Sequence, residues 1–229
     1  MSDYTIQDTK KYGNWDAGHN MEIWVLGCKN VSQSALDSAY AGVKDALGQI
    51  NNRSSKIPGS VVRKVDTSKA IDCNNHWDSG NNWLDSHGFG AGVYLWVTGC
   101  QIAVAAGGGG WEKRRQAFVS TSWYGSGYYL SVMAIQESFH PFILHGSCAY
   151  VQDLTNGTNE HALGQDIDTP NGDKASPMVT SYEDDSENYE SKGECNRDVI
   201  TSNVTRGLTN CTVEAIEWSK DHAYWNGVH

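Results

Sequence analysis

The amino-acid sequence predicts an α+β fold, a mixed sheet with helices followed by an irregular, loop-rich C-terminal half. Three observations carry that expectation. Short β-branched and aromatic runs between residues 21 and 123 have the length and composition of strands. Two stretches, 34–50 and 128–140, repeat apolar residues at i, i+3 and i+4, the period of a helix with one buried face. From about residue 146 the chain is acidic and poor in long periodic runs.

Met21-Glu22-Ile23-Trp24-Val25-Leu26 reads as the first strand. A helix follows from 34 to 50, capped by Ser34 and carrying Leu36, Ala39, Tyr40, Val43, Ala46, Leu47 and Ile50 on one face. Ser60 to Val65 is a second strand, and Asp72 to Ser86 reads as a polar insertion containing Trp77 and Trp83. The runs Gly92 to Val97 and Gln101 to Ala106, parted by Thr98-Gly99, predict a hairpin. Gln116 to Trp123 alternates as a strand should. Tyr128 to His140 returns to helical spacing, and Pro141 kinks or ends that helix because it lacks an N–H. A last helix is expected from Thr212 to Ala223.

At 229 residues, with no repeat and no marked linker, the chain is read as one domain, 1–229, with an N-terminal lobe to about 145 and a C-terminal lobe over 146–229. The formal charge of −10 argues against nucleic acid or an anionic membrane, whose phosphates need clustered Lys and Arg. The one basic run, Lys113-Arg114-Arg115, follows Gly107-Gly108-Gly109-Gly110 without the Gly-Lys-Ser/Thr ending of a phosphate loop. No apolar run approaches the roughly 20 residues that span a bilayer.

Cys28, Cys73, Cys100, Cys148, Cys195 and Cys211 are even in number and contain no Cys-x-x-Cys pair. They predict three disulfides in an oxidising compartment, free buried thiols being the alternative, and Cys195 with Cys211 is the first pair expected. Asn-x-Ser/Thr sequons begin at Asn30, Asn52, Asn156, Asn203 and Asn210. They point the same way, to an extracellular protein. The start, Met1-Ser2-Asp3-Tyr4-Thr5, has no basic-then-apolar signal, so the expectation is a mature secreted chain or one that stays in the cell.

The chemistry concentrates on Gln136-Glu137-Ser138-Phe139-His140. Residues four apart on a helix share a face, so Gln136 and His140 point one way with Glu137 beside them. Asn159-Glu160-His161-Ala162-Leu163-Gly164 follows, then Ser176-Pro177-Met178-Val179-Thr180-Ser181-Tyr182. Taken in order, these segments resemble the metzincin-type zinc peptidases. That clan has an HExxH helix, a third histidine beside a glycine turn, and a methionine-containing bend beneath the metal. The resemblance covers about 20–182 and implies zinc, or another divalent transition metal, held by His140, His161 and Gln136, with Glu137 as general base. Glu160, His145 or Asp166 are the candidates to complete the set.

Two departures shape the functional expectation. Gln136 stands where the first ligand histidine belongs, and its amide oxygen is a poorer donor to zinc than imidazole. His161 stands 21 residues after His140, farther than in the family pattern, which implies an inserted loop containing His145 and Cys148. The expected function is therefore a metal-binding, non-catalytic protein on a metallopeptidase-like scaffold. Its cleft would hold a peptide partner or a small aromatic ligand or pigment, for which nine tryptophans and eleven tyrosines are the compositional ground. The alternative is a secreted zinc-dependent endopeptidase. The acidic run Glu183 to Glu187 lacks the layout of an EF-hand and reads as a solvated loop, and no Gly-x-Ser-x-Gly elbow supports a serine hydrolase.

Overall fold

The computed structural model describes residues 3–15, 20–105, 110–144, 163, 166–167, 170, 172, 174–179 and 203–223. Its centre is a six-stranded mixed sheet. The elements are β1 (Tyr4–Gly13), β2 (Met21–Gly27), α1 (Gln33–Arg53), β3 (Gly59–Thr67), α2 (His76–Ser86), β4 (Gly92–Thr98), β5 (Val104–Ala105) and β6 (Arg114–Ser120). They continue with α3 (Thr121–Tyr124), α4 (Tyr128–Phe139), a second small sheet of β7 (Asp166–Ile167) and β8 (Lys174–Ala175), and α5 (Asn210–Ala223). The main sheet runs β1-β3-β2-β4-β6-β5, with β3, β2, β4 and β6 mutually parallel and an antiparallel strand on each edge.

The parallel centre explains why its strands are apolar runs. Every residue of β4 is buried, since the strand pairs on both sides and both faces are covered. This corrects the expected hairpin of 92–97 with 101–106. Strand β4 pairs with β2 and β6, while the short β5 pairs antiparallel with β6. The predicted strand 116–123 is shorter at its end, because the Ser120 hydroxyl accepts a hydrogen bond from the Trp123 N–H and starts α3.

Helix α1 begins slightly earlier than read, with Ser32 rather than Ser34 as cap, its hydroxyl accepting from the Ala35 N–H at 3.2 Å. Two layers flank the sheet. On one face α1 and α4 pack side by side over β2, β4 and β6, forming the main core around Ile23, Leu47, Leu95, Ala117, Met133 and Phe139. On the other face α2 covers a second core of Leu26, Tyr94, Trp96 and Phe118, so the predicted polar insertion is a helix that buries Trp83 and Leu84. The Cys73–Cys100 disulfide ties the segment before α2 to the chain after β4.

The cysteine expectation changes in one respect. Cys28 is a free thiol, buried in the second core, so the remaining five cysteines can form at most two disulfides. Cys211 is disulfide-bonded, and its partner, like the expected role of Cys195, lies outside the described residues.

Candidate functional site

Helix α4 owes its position to its first neighbours. Gly42 of α1 faces Ser131 of α4 so closely that a Cβ at 42 would collide with the Ser131 backbone. The absent side chain lets the two helices approach. At the far end, Pro141 begins a short 3-10 turn, His140–Phe142, as its missing N–H requires. The Pro141 carbonyl accepts from the Gly110 N–H at 2.8 Å, and a Cβ at 110 would press on Val93 and Pro141. The Trp111 indole N–H donates to the Phe142 carbonyl at 3.1 Å, pinning the exit of the helix beside the start of β6.

From Leu130 to Phe139 every residue of α4 is buried. A helix buried all round is ordinarily apolar throughout. Apart from Ser131 this one is apolar from Leu130 through Ile135, and it is polar at its end. Gln136 is 1 % exposed, Glu137 4 % and His140 9 %. Ser138, also buried, is accounted for by its bond to the Ala134 carbonyl at 2.6 Å. Gln136 and His140 are one turn apart, about 6 Å along the axis, and the His140 N–H closes the backbone bond to the Gln136 carbonyl.

Burial governs the electrostatics here. Removing water disfavours the charged carboxylate of Glu137 and pushes its pKa up to about 7, against a smaller opposing pull from His140. A carboxyl poised between its two forms near neutrality, on a turn shared with an imidazole and an amide, has the means to take up and release a proton.

Of the expected partners, Met178 lies close by. The Pro177–Val179 turn packs against α4, and Met178 belongs to the same apolar core as Phe139 and Leu163. His161, Glu160 and His145 lie outside the described residues, as does the acidic run 183–187, and of Asp166 only the backbone is described, paired with Ala175. Among the described residues no group of three or more His, Cys, Asp or Glu is placed to hold a metal.

Sequence reasoning missed the strap that organises this neighbourhood, residues 203–212. The Ala175 N–H donates to the Asn203 carbonyl at 2.7 Å and the Thr205 N–H to the Ala175 carbonyl at 2.9 Å, directly before the Met178 turn. Arg206 then bonds Asp45 of α1 at 2.6 Å and Ser131 of α4 at 2.7 Å, with its guanidinium 4.7 Å from the centre of the Tyr128 ring. Thr209 donates to the Leu163 carbonyl at 2.6 Å. One segment thus holds the Met178 turn and Leu163 against the helix bearing Gln136, Glu137 and His140. The only sequence signal for it was an isolated arginine in an acidic half.

The remaining histidines of note are held elsewhere. His87 pairs with Asp3 at 2.5 Å and stacks near Trp83, and the His222 ring lies 3.6 Å from Trp218. Trp24, Trp77, Trp83 and Trp96 belong to, or pack against, the second core. No protein-family model, characterised protein or solved structure matches the chain.

Proposed function

We propose that the end of α4 is a metal-binding site on a metallopeptidase-like scaffold, in a protein that holds a ligand or partner there without cleaving it. His140 and Gln136, with His161, would hold one zinc or other divalent transition-metal ion. When bound, such an ion supplies a Lewis acid. The single observation that carries the reading is the grouping of Gln136, Glu137 and His140 on the buried last turn of α4, where an amide, a carboxyl and an imidazole lie together away from water. The amide at position 136 weakens the donor set relative to two histidines, which places binding ahead of peptidase activity.

A second reading, a zinc-dependent endopeptidase, is favoured by the position of Glu137 between Gln136 and His140 on one turn. Its carboxylate would take the proton of the attacking water. Elemental analysis of protein purified without added metal tests the first reading, one equivalent of metal being expected. His140→Ala should lose most of that metal, while His87→Ala and His222→Ala keep it. Equal retention in all three, or a metal-free wild type, rejects the site. A visible absorption band in the purified protein would support an aromatic or conjugated ligand. Chelator-sensitive cleavage of a denatured protein by wild type, lost in Glu137→Ala, would replace the first reading by the second.

A further inference from the structure

Four of the five sequons have described asparagines, and their surroundings differ sharply. Asn52 lies in the last turn of α1, and the hydroxyl of its sequon, on half-buried Ser54, accepts from the Lys56 and Ile57 N–H groups. Asn210 opens α5 and accepts from Arg53 at 2.5 Å, while Thr212 is buried against the Leu163 carbonyl and Cys211 is disulfide-bonded. Asn203 sits in the strap, bridged to Ala175, with Thr205 half-buried.

Asn30 is exposed in the turn between β2 and α1, and its sequon is the one of these four whose hydroxyl-bearing residue, Ser32, is exposed as well, although that hydroxyl also caps α1 by accepting from the Ala35 N–H. Its φ of +72° is left-handed backbone, which asparagine tolerates better than most residues. Among the described residues its side-chain amide makes no hydrogen bond.

We infer that Asn30 is an N-glycan acceptor, the sequon of this fold best placed to carry an oligosaccharide. The donor is a lipid-linked oligosaccharide diphosphate. The Asn30 Nδ2 forms a bond to the first sugar carbon as that carbon's bond to the diphosphate oxygen breaks; the diphosphate leaves with the electron pair and Nδ2 gives up one proton. At Asn30 the amide gives up no bond to a described residue, whereas a glycan on Asn210 would break the bond to Arg53. The location also matters. Asn30 follows the C-terminal end of β2, level with Val97, whereas Pro141 and the end of α4 lie by Gly110 and the start of β4. The seven residues of β4 separate those levels by about 20 Å. A glycan at Asn30 therefore stands at the opposite end of the sheet from Gln136, Glu137 and His140, and leaves them uncovered.

The test is to direct the full chain into the secretory pathway of a eukaryotic cell and map both exported and retained protein. Peptide-N-glycosidase in heavy-oxygen water marks each formerly glycosylated asparagine as a labelled aspartate. Most molecules should carry the mark at Asn30. Asn30→Gln should lose one glycan by gel mobility, Asn52→Gln and Asn210→Gln none, and Ser32→Thr should keep it where Ser32→Ala does not. An unmarked Asn30 in both fractions overturns the inference, as does occupancy at Asn52 or Asn210 equal to that at Asn30.

Discussion

Helices α1 and α4 lie against each other on the same face of the sheet, yet they solve burial in opposite ways. Over its 21 residues α1 buries one stripe, Ala35 to Ile50, and turns Asp37, Asp45 and Lys44 outward. Such a helix needs no explanation for its polar residues; water and ion pairs at the surface, Asp37 with Lys64 and Asp45 with Arg206, satisfy them. The 12 residues of α4 have no outward face beyond the first turn, so Gln136, Glu137 and His140 are held away from water. The same residue types carry different information in the two helices. On α1 they mark a surface, and on α4 they mark polar groups shut inside the core.

The largest expected effect lies where the two helices meet. Gly42→Val places a side chain against the Ser131 backbone, which cannot yield as a side chain would, and should cost about 3 kcal/mol. A shift in the urea midpoint with unchanged slope measures it, and a neutral result would mean that the helices are not in close contact.

Next comes the burial of Glu137. Its folded pKa of about 7 lies above its usual 4.5, so the folded state binds the proton more tightly than the unfolded state does. That contribution is fully present below 4.5 and is lost as pH rises towards 7. In chelator-treated protein, Glu137→Gln should therefore gain about 3 kcal/mol over wild type at pH 8, the full shift, because the neutral amide stands in for the protonated carboxyl. At pH 4 the two should match. Parallel stability curves across that range would show that the carboxyl is better solvated than its position implies.

The strap gives a smaller effect shared by both helices and the C-terminal half. Thr209→Val leaves the buried Leu163 carbonyl only the longer 3.3 Å contact with Thr212 and removes the acceptor of the Thr212 N–H, and should cost about 1–2 kcal/mol, with Thr209→Ser restoring most of it. Denaturant curves of the pair separate the hydroxyl from the methyl group. The smallest effect belongs to α1 alone. A Cβ at Gly48 meets only the Tyr12 ring at ordinary contact distance, so Gly48→Ala should add about 0.5–1 kcal/mol through helix propensity. Destabilisation there would show that Tyr12 packs more tightly on α1 than its contacts suggest.

The elements that sequence could show were those whose burial imposes a period. Helices α1 and α4 fall where their apolar spacing and Pro141 put them, and β2, β3 and β6 where their apolar runs lie. Strand β1 left no such trace. Its residues 5–11 are exposed along an edge that pairs only with β3, so neither face demanded alternation. Helix α2 was hidden because it buries only Gly80, Trp83 and Leu84. The apparent hairpin arose because a parallel central strand and one arm of a hairpin have the same composition, and pairing is set by neighbours far along the chain. The candidate site divides in the same way. Gln136, Glu137 and His140 could be grouped from spacing on one helix. The contacts of Arg206 with Asp45 and of Thr209 with Leu163 span 161 and 46 residues, and no local pattern encodes them.

Cys28 offers a practical consequence of the second core. Burial pushes its thiol up to about 12, so in the folded protein it is neither charged nor reachable. An alkylating reagent can modify it only while the sheet end beside Thr98 is open. The rate of that labelling, followed under native conditions and compared with global unfolding, is then a built-in clock for how often this end of the molecule breathes, with no probe added and no residue changed.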